Sequence, residues 1–192
     1  MTKSVTYTAF DGARRIASGP LPEVALAVKQ AIENGAAGPV HAYDDTTGRV
    51  TDIDISGSPA DVVARLAPAP AAEAPAPRGR GRPKLGVVAR EVTLLPRHWE
   101  WLSSQPGGAS VALRKLVDEA RRTTAGAERM RRARDAAYHF MAATGGDLPG
   151  YEEALRVLFA GDRPRFVERL AAWPADLRDH AIRLAFPEDE SA

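Results

Sequence analysis

The sequence predicts an α+β protein: a small N-terminal ββαββα module, a Pro/Ala linker, then a strand–helix–helix segment and a helical C-terminal region. Three observations carry this. Short period-two runs alternate with turn dipeptides and two helical stretches over residues 1–66. Residues 67–77 read APAPAAEAPAP, which cannot build a core and favours an extended backbone. Residues 123–192 then repeat apolar side chains at helical spacing.

Taken in order, Ser4–Phe10 alternates Val5, Tyr7 and Ala9 with polar partners, the period of a half-buried strand. Asp11-Gly12 turns the chain, and Ala13–Ser18 returns as a second strand. Pro22 and Glu23 open a helix that Asn34-Gly35 closes. Val40–Tyr43 and Val50–Ile55 flank a DDTTG turn and predict a second hairpin. Ser58 caps a short helix with Pro59 at its first position.

The linker continues to residue 88, and residues 89–122 form the next segment. Arg90–Leu95 leans towards a strand, with Val92 and Leu94 on one face and Glu91 and Thr93 on the other. Pro96 opens a helix carrying Trp99 and Leu102, and Pro106-Gly107-Gly108 breaks it. Ser110 is placed to cap a helix with Val111, Ala112, Leu116, Val117 and Ala120 on one side. Arg114, Lys115, Arg121 and Arg122 lie mainly off that stripe. Four further helices are read over Ala127–Thr144, Tyr151–Ala160, from the Asp162 cap, and over Asp176–Phe186.

Charge is distributed unevenly. The net formal charge of +1 is the balance of −3 over residues 1–77, +9 over 78–134 and −5 over 135–192. A basic middle between acidic ends points to a polyanion as partner. Absent chemistry narrows the rest. There is no cysteine, which excludes disulfides, thiolate zinc sites, iron–sulfur clusters and a thiol nucleophile. His41, His98, His139 and His180 form no pair at metal-binding spacing. No nucleophile elbow, phosphate loop or dinucleotide fingerprint occurs. Asp44-Asp45, Asp52 and Asp54 read as solvated hairpin carboxylates. Neither enzymatic activity nor a catalytic residue, metal or cofactor is expected. No apolar run is long enough to span a membrane, and no apolar leader follows Lys3, so a cytoplasmic location is expected.

Residues 77–84 read PRGRGRPK and resemble an AT-hook, whose core is Arg-Gly-Arg-Pro, here Arg80-Gly81-Arg82-Pro83. A narrow A·T-rich minor groove has a strong negative potential that draws extended arginines. Glycine removes the Cβ that would strike the groove floor, and proline keeps the backbone extended. The resemblance implies minor-groove contact by Arg80 and Arg82, with Arg78 and Lys84 on phosphates.

The segment REVTLLPRHWEWLSSQPGGASVALRKLVDEARR resembles a ribbon–helix–helix unit. The resemblance implies a homodimer in which paired strands enter the major groove and the second helix's N-terminus holds a phosphate. Carried onto this chain, the base-facing positions are Glu91 and Thr93, with Arg90 beside them. The phosphate contact falls near Ser110, with Arg114 and Lys115 on the same basic helix. Glu91 departs from the expected base-facing chemistry, although it can accept a bond from a cytosine amino group.

Over nearly its full length the chain is similar to a bacterial family of uncharacterised proteins, the domain of unknown function 2239. The similarity is carried by TAFDGARRIASG, GRPKLGVVAREVTLLPRHWEWLSSQPGGASVALRKLVDEAR and GDLPGYEEALRVLFAGDRPRFVERLAAWPADLRDH. It implies a bacterial origin and brings no activity or catalytic residue. Adjacency of hook, strand and basic helix makes a DNA-binding regulator or nucleoid-associated factor the first expectation, with A·T-rich duplex as its partner. The alternative is a protein–protein module, an antitoxin-like or adaptor protein that binds no DNA.

Overall fold

The computed structural model describes residues 5–67, 88 and 90–187. The chain divides into two compact units. One combines Met1–Ala67 with Ala127–Ala192, and the other is Pro68–Gly126. The two ends of the chain thus share one unit, where the sequence reads them as separate regions, 1–66 and 123–192.

The first unit is built on a four-stranded antiparallel sheet. β1 (Tyr7–Asp11) pairs with β2 (Arg14–Gly19) across the Gly12 turn. It pairs on its other side with β3 (Val40–Asp44), which is followed by the short β4 (Val50–Thr51). Strand order is β2-β1-β3-β4. Between β2 and β3 runs α1 (Leu21–Glu33), and α2 (Pro59–Leu66) follows β4. Ser58 and Asp61 close a reciprocal capping box on α2, as the Ser58-Pro59 signal predicts.

Pleating sends alternate residues of each strand to opposite faces. Ala9 and Ala42 join Val24 and Val28 of α1 in one buried cluster. Thr8, Phe10 and Tyr43 point the other way and are also buried. Their cover comes from the C-terminal helices. α4 (Gly108–Thr144) supplies Phe140 and Met141, α5 (Tyr151–Ala160) Leu158, and α6 (Arg163–Arg169) Phe166. α7 (Ala175–Ala185) supplies Leu177 and Ala181. The rings of Phe10, Tyr43 and Phe140 meet at centroid distances of 5.0–5.9 Å in tilted and edge-on arrangements. Val5, read as part of the first strand, lies before β1 and is exposed.

Asp11 ties the first hairpin to the loop before β3. Its carboxylate accepts from Gly38 N at 2.7 Å, Ala37 N at 3.3 Å and Arg14 Nη2 at 3.1 Å. The Gly38 amide first, and then the Arg14 guanidinium, hold its pKa below the ordinary carboxylate value.

Three local expectations change. β4 stops at Thr51 instead of running to Ile55, and Asp54 folds back to accept from Ser56 N and Oγ. Residues 90–95, expected as a strand that pairs with the same strand of a second chain, form no strand within the single chain. Among the described residues these positions pair with no other strand, and Leu95 is extended at φ −67°, ψ 151° ahead of Pro96. The expected helices over 110–122 and 127–144 are one continuous helix, α4. No proline interrupts it, and Thr123 and Thr124 return their hydroxyls to the carbonyls of Glu119 and Ala120. No described helix is long and apolar enough to cross a membrane.

Gly48 sets how closely the β3–β4 turn approaches α4. It has φ +66°, and a Cβ there would overlap the carbonyl group of Ala136. Gly48→Ala is therefore expected to lower unfolding stability by about 2 kcal/mol or more. Urea denaturation followed by circular dichroism measures it, and an unchanged midpoint would contradict this packing.

Candidate functional site

The second unit contains α3 (Pro96–Ser104) and the start of α4. Pro96 occupies the first turn of α3, where a missing N–H costs nothing. The chain reverses over Gln105–Gly108. There Gln105 N donates to Leu102 O and Gly108 N to Gln105 O. Gly107 has φ +88° and packs against the Val111 side chain, so the break read at Pro106-Gly107-Gly108 is a tight turn between two helices. α4 begins at Gly108, which places Ser110 inside its first turn and not at the cap.

The sequence-derived DNA residues fall into three groups. Arg78, Arg80, Arg82 and Lys84 lie outside the described residues. Arg90, Glu91 and Thr93 are exposed in the segment before α3. Ser110, Arg114 and Lys115 are brought together on the exposed first turns of α4, where Arg114 Nε donates to Ser110 O at 3.1 Å. Arg121 and Arg122 extend this group. Arg114 to Arg121 and Lys115 to Arg122 are each seven residues apart, which returns a helix to the same side. Arg122 also meets Glu119 at 2.7 Å, a pair exposed on both sides and therefore weak. Apolar residues occupy another side. Trp99, Trp101, Leu116 and Val117 are all exposed, so neither tryptophan of the pair is buried.

The first unit holds a polar cluster that motif reading passes over. His180 on α7 is fully buried between the rings of Phe10, at 5.3 Å, and Phe140, at 4.5 Å. Arg183 Nη2 lies 2.7 Å from His180 Nδ1 and donates to Thr8 Oγ1 at 3.1 Å. Arginine only donates, so Nδ1 is the accepting nitrogen and the neutral ring carries its proton on Nε2. That proton faces Asp45 Oδ1 at 3.6 Å, and neither atom has a hydrogen-bond partner among the described residues. Asp45 Oδ2 accepts from Thr6 Oγ1 at 2.9 Å and lies 3.6 Å from Arg183. Thr8 Oγ1 and Ser18 Oγ are 3.0 Å apart, which brings β2 into the same network.

Chemically this cluster is a latch. It joins both strands of the first hairpin, the β3–β4 turn and α7 around the buried side chains of Thr8 and His180. Asp45 was expected as a solvated hairpin carboxylate. Instead its side chain is only 10 % exposed, while Asp44 alone serves the turn by accepting from Thr46 N. Nothing in the local sequence reveals this, because Asp45 and His180 are far apart in the chain. Burial, then Arg183 and Arg15, push the His180 pKa down to about 3, so the ring is neutral at ordinary pH. Among the described residues no three His, Cys, Asp or Glu side chains gather as a metal ion requires.

A family model described as an uncharacterised protein conserved in bacteria matches residues 6–185. The match takes in both units. No curated protein and no solved structure is similar to the chain at a significant level.

The buried ring has a pH signature. Below the ordinary histidine value of 6.5 the unfolded chain takes up a proton, while the folded ring stays neutral to about 3. Stability therefore falls as pH drops through this window, by up to ~1.4 kcal/mol per pH unit from this group. Chemical denaturation between about pH 6.5 and 4.5, above most carboxylate titration, measures the slope. His180→Gln should flatten it, and an equal slope in both proteins would show that the ring is not sealed.

Proposed function

The chain belongs to this bacterial family, the domain of unknown function 2239, and from the geometry of its second unit we propose that it is a DNA-binding protein of the transcriptional-regulator or nucleoid-associated type. The observation that carries the reading is the exposed basic flank of α4, formed by Arg114, Lys115, Arg121 and Arg122. Two pairs of cations, each seven residues apart, match a phosphate backbone better than scattered surface charge does. Ser110 and the free amides of the first turn of α4 add a neutral phosphate contact beside them. The AT-hook-like tract, which precedes α3 in the sequence, supplies groove contact. Arg80 and Arg82 enter an A·T-rich minor groove, and Arg78 and Lys84 neutralise phosphates. Arg90 and Thr93, exposed ahead of α3, contact the duplex next to the tract, and Glu91 accepts from a cytosine amino group. The reading places the protein in the cytoplasm with the chromosome.

Two variants of the full chain separate the contributions. Replacing Arg114, Lys115, Arg121 and Arg122 with Ala should weaken binding to any duplex. It should also reduce the salt slope of log K by roughly 0.9 for each lost phosphate contact. Replacing Arg80 and Arg82 with Ala should instead remove the preference for A·T-rich over G·C-rich duplex. Fluorescence anisotropy at two salt concentrations reads both. Unchanged affinity, slope and preference in both variants would refute the proposal.

A further inference from the structure

We propose that the first unit binds a single-stranded polynucleotide across the outer side of α4, with bases stacked on Tyr138 and Phe159 and phosphates on Arg134 and Arg49. The starting observation is an arginine left without an anion. Arg134 of α4 is half-buried and packs against Gly161 at the C-terminus of α5, where its Nη2 leaves no room for a Cβ. Its Nε is shut off from solvent and has no hydrogen-bond partner among the described residues. Asp162, the next residue after Gly161, caps α6 and pairs with Arg165 at 3.4 Å instead. A guanidinium withdrawn from water without a partner is costly. An anion removes that cost, and arginine grips phosphate through paired N–H donors.

Exposed rings stand beside this cation. Phe159, two residues before Gly161, is 52 % exposed, more than any other large apolar residue described in the unit. Tyr138 follows Arg134 by four residues, so the two stand one turn apart on the same side of α4. Tyr138 is 37 % exposed, and its ring lies 5.9 Å from that of Phe159. On its other flank Tyr138 meets the His139 ring at 5.4 Å. Arg49, exposed in the β3–β4 turn, donates to His139 Nε2 at 2.9 Å. The result is a row across α4: a guanidinium, two exposed rings, an imidazole and a second guanidinium.

This alternation selects the occupant. A nucleotide is a planar base joined to an anion, and every base has a π-face that an exposed ring can stack. Cations at both ends of the ring row fit the successive phosphates of a strand, where a lone anion needs only one. Stacked, paired bases in a duplex offer no free face. The local charge agrees. Asp135, exposed three residues before Tyr138 and four before His139, is the carboxylate that α4 brings to the row. Arg131 and Arg132 stand one turn before it and are also exposed, so cations outnumber it. The inference goes beyond the duplex contacts proposed for the second unit. It uses other residues in the other unit and stands or falls separately.

Fluorescence anisotropy of the full chain with a labelled thymidine oligomer, which forms no duplex with itself, tests it. Phe159→Leu keeps an apolar side chain and removes the ring, and it should raise the dissociation constant about tenfold. Phe159→Trp should keep wild-type affinity. Arg134→Gln and Arg49→Gln should each lower the salt slope of log K by roughly 0.7, the value for one phosphate contact on a single strand. An unchanged urea midpoint checks that each variant folds. Duplex affinity should not respond to Phe159→Leu. The effect of Phe159→Leu on the oligomer should persist in a chain that also lacks Arg114, Lys115, Arg121 and Arg122, which keeps a failure here distinct from a failure of the duplex reading. A wild type that does not bind the oligomer, binding indifferent to Phe159→Leu, or equal loss with Leu and Trp would overturn the proposal. Competition by free thymidine monophosphate as strong as by the oligomer, nucleotide for nucleotide, would overturn the strand as ligand.

Discussion

Covering the second face of the N-terminal sheet is the constraint on which the first unit depends. α1 covers one face with Val24 and Val28. The other presents Thr8, Phe10 and Tyr43, and the remaining N-terminal element, α2, packs on α1 and leaves that face open. A half-covered sheet of this size is marginal. Phe140 and Met141 of α4 and the helices after it close that face, and the aromatic rings lock together edge to face. The two ends of the chain are one unit because neither has a complete core alone.

The closed face contains a polar network as well as rings. His180 lies between Phe10 and Phe140, and Arg183 links it to Thr8 and lies close to Asp45. Such a network costs desolvation energy and returns geometric specificity, because α7 can satisfy Thr8 and Asp45 together in only one register. Apolar contacts of Phe10 and Phe140 would tolerate sliding, and the directional bonds of Arg183 Nη2 to Thr8 and His180 do not. The neutral state of His180 follows from the same enclosure.

A core built from the chain's ends leaves residues 68–126 as a separate unit with different chemistry. Its described residues bury little, carry cations on one side of α4 and leave large apolar groups on another. The cations and the exposed apolar groups lie on different sides of the helix.

Local elements were legible from residues because their signals are local. Asp11-Gly12, Asn34-Gly35 and the Ser58-Pro59 cap act within a few bonds, and each element they bound lies where the pattern puts it. So were the cations of α4, since helical spacing alone gathers Arg114 with Arg121 and Lys115 with Arg122. The misreadings share one cause. Thr8 looked like a solvent-facing strand residue, Asp45 like a turn carboxylate and His180 like an isolated histidine, because pattern records polarity and not what lies opposite. A threonine opposite water and one opposite an arginine are written alike. Residues 110–144 read as two helices, and the low helix propensity of Thr123, Thr124 and Gly126, about 2 kcal/mol together, is outweighed by continuous hydrogen bonding along α4. Turns, caps and charge follow from the order of residues along the chain. Which helix closes the sheet, and which buried groups become partners, follow from contacts between residues more than a hundred positions apart, and only the folded chain brings those together.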